Sequence, residues 1–288
     1  MQETDQSEYY SGLPVSESET PQIAPSPDNP PWNSGMAFGV WLFSVLLILF
    51  VPAMVVLPYI ISSGPAFTDA EAVADFAKND TTAILLQVAA ILPAHLLTLI
   101  ASYFVVTAMR RHDFREMLGW SAGGVKWWAY PAILIGFLGL AAVLSLYLPE
   151  VEHELMRILR SSRIAVYLVA ILATLTAPIV EEVIYRGILY SAFQRSMGVA
   201  GAFGLVTLLF TAVHVPQYYE SVSTLTLLTL LSVVLTALRV YSRNLLPCII
   251  LHTLFNGFQS IILVLEPWLP PQTEPTAIDP AFIFSLLR

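Results

Sequence analysis

Seven stretches of this 288-residue chain are candidates to cross a lipid bilayer, at 36–61, 82–109, 127–148, 164–190, 198–214, 224–240 and 244–265. A spanning helix needs about 20 mostly apolar residues. Inside lipid, backbone amides must find their partners within the protein, which leaves helices or a closed barrel. The expected fold is therefore all-α: a polytopic transmembrane helix bundle of about seven spans, with about six to eight as the range. Composition agrees, since 56% of the residues are hydrophobic and 12% charged, about half the charged share of a soluble domain.

The two ends have a different character. Residues 1–35 hold six acidic residues, six prolines and no Lys or Arg, the composition of a disordered tail. A basic region followed by a short apolar core, the mark of a secretory signal, is missing, so the first apolar stretch is expected to stay as an anchor. Residues 266–288 are again proline-rich, and their last apolar residues, "AFIFSLL", suit the bilayer surface. The chain thus reads as an N-terminal tail 1–35, a membrane domain 36–265 and a C-terminal tail 266–288.

Basic residues in short loops favour the cytoplasmic side. With the N-terminus inside, Arg110, Arg111, Arg115, Lys126, Arg195, Arg239 and Arg243 fall on that side, against Lys78, Arg157, Arg160, Arg163 and Arg288 outside. The discordant group in "VEHELMRILRSSR" has the amphipathic pattern of a surface helix. The reading is a cytoplasmic N-terminus. A net charge of −8 argues against nucleic acid as a partner. Cys248 is the only cysteine and sits among apolar residues, the setting of a packed small hydrophobe rather than a reactive thiol.

Charged and polar residues inside a membrane are costly and mark function. They fall at Gln87 and His95, at Glu181, Glu182 and Arg186, at His214, and at His252, Asn256 and Gln259. Residues four apart share a helix face, so Glu182 can pair with Arg186, while Glu181, turned about 100° away, is left without that partner. A carboxylate left free in a low-dielectric bundle suits a general base. Pro178 would interrupt the hydrogen-bond ladder just before the glutamates. His252 and Asn256, again four apart, can point at one spot and donate to a developing oxyanion. His214 follows Phe210 by four, which sets a ring beneath the imidazole.

Each group has a structural reading of its own. Glu182 with Arg186 can be an ion pair that only staples the helix. His252 with Asn256, and Gln87 with His95, can be hydrogen-bonded glue between helices. His214 alone fits an interfacial histidine. Together, however, one carboxylate, two imidazoles and one amide are the parts needed to activate water and attack a carbonyl.

"EEVIYR", "FTAVH" and "HTLFN" also match, in order, the patterns E-E-x-x-x-R, F-x-x-x-H and H-x-x-x-N/D. In these the chain resembles the CPBP family, which groups CAAX prenyl proteases with bacteriocin-processing and immunity proteins of the ABI type. The likeness spans roughly 164–265. It implies a glutamate-dependent intramembrane endopeptidase in which Glu181 activates water with help from His214. His252 and Asn256 then correspond to the oxyanion pair, and Glu182 and Arg186 to structural support of the site. It implies the lipid bilayer and a peptide or prenylated peptide as partners, with a bacterial plasma membrane as the expected location. No cofactor is favoured; a zinc-bound alternative would draw on Glu181, His214 and His252. Two other classes use the same polar residues: a proton-coupled transporter, and a non-catalytic membrane scaffold or immunity protein.

Overall fold

A computed structural model describes residues 24–66, 69–148 and 154–268, and within them the regular elements are helical apart from an isolated bridge between Ser26 and Asn29. The first helix, α1 (Ser34–Ser63), starts where the Asn33 side chain accepts from the Met36 N–H, satisfying one of the donors that every helix N-terminus leaves open. At 30 residues it is about 45 Å long, and Leu49, Phe50 and Met54 on its outer side are 60–70% exposed, as lipid-facing residues are. Two short helices follow, α2 (Ala70–Asn79) and α3 (Thr81–Ala89), each capped by an aspartate, Asp69 and Asp80. Through Ala90 the chain passes into α4 (Ile91–Val106), then α5 (Phe114–Leu118) and the 17-residue apolar α6 (Ala129–Ser145).

The amphipathic segment is helical where described, as α7 (Glu154–Ser161), and buries Met156 and Leu159. A Ser162 cap opens α8 (Arg163–Ile171). The chain then stays helical through a π-helical turn Leu172–Thr176, α9 (Ala177–Glu182) and a second π-helical turn Val183–Leu189, before α10 (Tyr190–Tyr218), α11 (Val222–Ser242) and α12 (Leu246–Leu265).

The protein is an all-α, largely membrane-spanning bundle. Among the described residues five helical runs are long and apolar enough to cross a bilayer: Ser34–Ser63, Thr81–Val106, Arg163–Tyr218, Val222–Ser242 and Leu246–Trp268. The third is 56 residues long and turns at Gly198, whose φ of 79° and ψ of 172° only glycine adopts without strain. The sequence segments 164–190 and 198–214 lie on either side of that turn, while 127–148 coincides with the shorter α6.

Two features differ from the sequence reading. Arg239, assigned to a cytoplasmic loop, lies in the last turn of α11 and is 1% exposed, so it drops out of the loop-charge comparison. Residues 24–33, read as part of the tail, are seated on the protein: Trp32 is fully buried and its Nε1–H donates to Ile188 O at 3.0 Å. Arg195 donates to Pro30 O and Trp32 O. The prolines and acidic residues that suggest disorder also supply a carbonyl and a carboxylate for the buried Arg239 and a carbonyl for Arg195. Residues 1–23 and the C-terminal tail from 269 onward lie outside the described residues.

The main core joins α1, α4, the second π-helical turn and α10 around Val183, Ile188, Leu189 and Val206. A second cluster joins α6, α11 and α12 around Phe137, Leu235, Leu251 and Phe255, with Cys248 buried among them. Glu182, Arg186 and His252, hydrogen-bonded to one another, link the helices of these two apolar masses.

Candidate active site

Pro178 sets the local backbone. In the turn Leu172–Thr176 the ladder is one residue wider than in an α-helix, so that the Ala177 N–H bonds to Leu172 O. At that register Ala173 O would pair with residue 178, a proline with no N–H to give. Asn256 fills the gap from α12, its Nδ2 donating to Ala173 O at 2.8 Å. Nearby, Thr174 and Ser260 hydroxyls lie 2.9 Å apart, and α12 is thereby stitched to the chain just before the glutamates. π-helical turns are rare and concentrate at functional sites.

The second π-helical turn carries Arg186, which is fully buried with Glu182. Burying an ion pair is costly unless its protons and lone pairs find partners; four of the five guanidinium protons have acceptors here, while Glu182 Oε2 is buried without a partner among the described residues. Nη1 bonds Glu182 Oε1 at 2.9 Å, Nη2 bonds Ser232 O and Oγ at 3.0 and 2.8 Å, and Nε bonds Thr236 Oγ1 at 3.3 Å. The guanidinium also lies 4.9 Å from the Phe210 ring centre, within cation–π range.

Glu182 does more than hold Arg186. The same Oε1 accepts from His252 Nδ1 at 2.8 Å. A carboxylate salt-bridged to arginine can only accept, so His252 carries its proton on Nδ1 and turns Nε2 toward Glu181, whose Oε2 is 3.9 Å away. His214 is fixed by the same logic: its Nδ1 lies 2.7 Å from Phe210 O, a carbonyl that can only accept, which leaves Nε2 to accept in the neutral ring. Its ring packs 4.9 Å from that of Phe210.

Glu181, His214, His252 and Asn256 all line one cavity of about 150 Å³, together with Gln259, the aromatic rings of Phe137 and Phe255, and the α11 leucines. Glu182 and Arg186 stand behind it. Glu181 remains 27% exposed on its side chain, while His252 is 3% exposed, so the carboxylate that reaches the cavity is the one not tied to Arg186.

His95 and Gln87 do not line the cavity. His95 Nδ1–H donates to Thr176 Oγ1 at 2.8 Å, whose own hydroxyl donates to Leu172 O; Gln87 donates to Ala77 O and Ala83 O. Both act as hydrogen-bonded links. The sequence reading left two groups without a role here: the pair Ser232 and Thr236, whose four-residue spacing on α11 was the available signal, and Gln259, seven residues after His252 on the same face.

Among the described residues no cluster of three or more His, Cys, Asp or Glu side chains is gathered to hold a metal ion. Glu181, His214 and His252 share the cavity; each imidazole has Nδ1 bonded elsewhere, which leaves Nε2 as its one possible ligand atom, and the three are not gathered into a ligand cluster.

Residues 163–258 match the family model described as type II CAAX prenyl endopeptidase, Rce1-like. The match covers about a third of the chain and takes in Glu181, Glu182, Arg186, His214, His252 and Asn256. This stretch is similar to a CAAX-protease domain at the level of the family, which supports a hydrolase class. No curated protein and no solved structure gives a significant match to the chain.

Proposed function

We propose that the protein is an intramembrane endopeptidase that hydrolyses a peptide bond with glutamate-activated water. The observation that carries this reading is the convergence of Glu181, His214, His252 and Asn256 on one cavity, within the stretch that resembles CAAX proteases. Neither zinc ligation nor a second membrane activity draws comparable support from the geometry.

In this scheme a water lies between Glu181 and His214 Nε2. Glu181 removes one proton as the oxygen attacks the scissile carbonyl carbon, and His214 Nε2 accepts a hydrogen bond from the remaining O–H. The carbonyl π electrons move to oxygen. The tetrahedral oxyanion then takes hydrogen bonds from the second Nδ2 hydrogen of Asn256 and from His252 Nε2 when that ring is protonated. Glu182 balances such a ring through Nδ1 and keeps it oriented. When the C–N bond breaks, Glu181 passes its proton to the departing amine, leaving a carboxylic acid and an amine with the carboxylate restored.

Family likeness points to CAAX-type prenylated peptides or secreted-peptide precursors as substrates and to a bacterial plasma membrane, and the basic loop residues favour a cytoplasmic N-terminus. The test is cleavage of a mixed fluorogenic peptide set, farnesylated and unmodified, by purified protein and by Glu181→Gln. Loss of at least about a hundredfold in kcat in a variant that still melts cooperatively is the expected result. Full activity in Glu181→Gln overturns the scheme, and proton flux into liposomes without any cleavage replaces it with transport.

A further inference from the structure

We propose that Gln259 binds the main chain of the substrate peptide, about three residues from the scissile bond. The proposal rests on the endopeptidase reading and deepens it by adding a substrate-positioning residue.

His252, Asn256 and Gln259 follow one another along one face of α12 and all line the cavity. The first two have structural duties, to Glu182 and to Ala173 O. Gln259 has none among the described residues: its side chain is 7% exposed, yet no described group hydrogen-bonds its amide. An amide in that position has no protein partner among the described residues and is reached only from the cavity it lines, whereas a leucine would suit the apolar surroundings without needing one. What would satisfy it must enter the cavity.

The chemistry of the amide narrows what enters. A primary amide places a donor and an acceptor side by side, complementary to the C=O and N–H of an extended peptide. The seven-residue step from His252 to Gln259 is about 10 Å along the helix. An extended chain advances about 3.3–3.6 Å per residue, so a peptide lying along α12 with its scissile carbonyl at His252 brings its third peptide group to Gln259. Phe137 and Phe255 then flank the intervening side chains and favour apolar ones.

The experiment is an N-methyl scan of whichever fluorogenic peptide is cleaved, each amide nitrogen methylated in turn. It compares the wild type with Gln259→Leu and Gln259→Met, both checked for cooperative melting. Removing the amide is expected to lower kcat/KM about tenfold, mainly through KM. The loss should vanish on the one peptide whose methyl group has already removed the contacted N–H. Unchanged kcat/KM in both variants, or an equal loss on every methylated peptide, overturns the proposal.

The contact is also readable without turnover. If the wild type cuts no peptide, the endopeptidase reading fails by itself. Binding of the labelled peptides to Glu181→Gln, with and without Gln259→Leu, then decides the Gln259 contact by fluorescence anisotropy. A weaker affinity that is insensitive to methylation at one position supports it, and equal affinities overturn it.

Discussion

Glu182 and His252 are joined by a 2.8 Å hydrogen bond from Nδ1 to Oε1, linking the charged turn of one membrane helix to the polar face of another. Because Oε1 also takes the Arg186 proton at 2.9 Å, a single oxygen fixes both the guanidinium and the imidazole. Glu182 therefore couples stability to the orientation of the site.

That coupling separates the two adjacent glutamates experimentally. Glu182→Gln leaves Arg186 buried without a counter-charge, and breaking a buried pair in this way costs about 3–5 kcal/mol. The melting temperature in detergent should fall markedly, with cleavage falling too. Glu182→Gln combined with Arg186→Met removes both charges; stability should return in large part while activity does not. Glu181→Gln should change stability little. Equal melting temperatures for the two single variants would remove the structural role assigned to Glu182.

The backbone bond of Asn256 and its proposed oxyanion role can be taken apart through Pro178. Asn256→Ala orphans Ala173 O, a loss of about 1–3 kcal/mol, and removes the proposed oxyanion donor, for which a loss of about 10²–10³ in kcat is expected. Pro178→Ala supplies the missing backbone N–H. In the double variant, stability should be regained relative to Asn256→Ala alone while kcat stays low. Recovery of both quantities together would show that Asn256 acts only through the backbone.

The Glu182–Arg186 pair was legible in the sequence because it is local: a four-residue spacing on a helix is enough. So were the cavity-facing pair His252 and Asn256 and the amphipathic segment at Glu154–Ser161. The bond from His252 to Glu182 was not, since 70 residues separate them and their approach depends on how α12 packs. Pro178 announced a disturbed ladder without revealing that Asn256 would complete it. Asp28 and Trp32 were hidden for a related reason. Their partners, Arg239 and Ile188, are 211 and 156 residues away, so the local composition of residues 24–33 carried no trace of those contacts.

Those contacts clamp the second π-helical turn. Arg239 donates to Arg186 O, Ser191 Oγ, Pro27 O and Asp28 Oδ1, Trp32 to Ile188 O, and Trp41 Nε1 to the Tyr185 hydroxyl. Trp32→Phe, which keeps the ring but loses the N–H, should cost about 1–3 kcal/mol and raise amide exchange across Val183–Leu189. Asp28→Asn should cost less, about 1 kcal/mol, because its side chain is 36% exposed. Unchanged exchange in this turn for both variants would show that residues 24–33 rest on the protein without holding it.

The dependence on metal follows from how the possible ligand atoms are placed. His214 spends Nδ1 on Phe210 O and His252 spends Nδ1 on Glu182, so each could offer a metal only Nε2. The two do not converge with Glu181 into a ligand cluster. Cleavage by the purified protein is therefore expected to keep its rate after incubation with a strong zinc chelator and dialysis, and to gain nothing from added zinc. Metal content measured on the same sample should not track activity. A rate abolished by chelator and restored by about one equivalent of zinc would mean that Glu181 and the two Nε2 atoms draw together around the ion while Nδ1 of each ring keeps its present acceptor, and the water-activating role would pass from Glu181 alone to a metal-bound site.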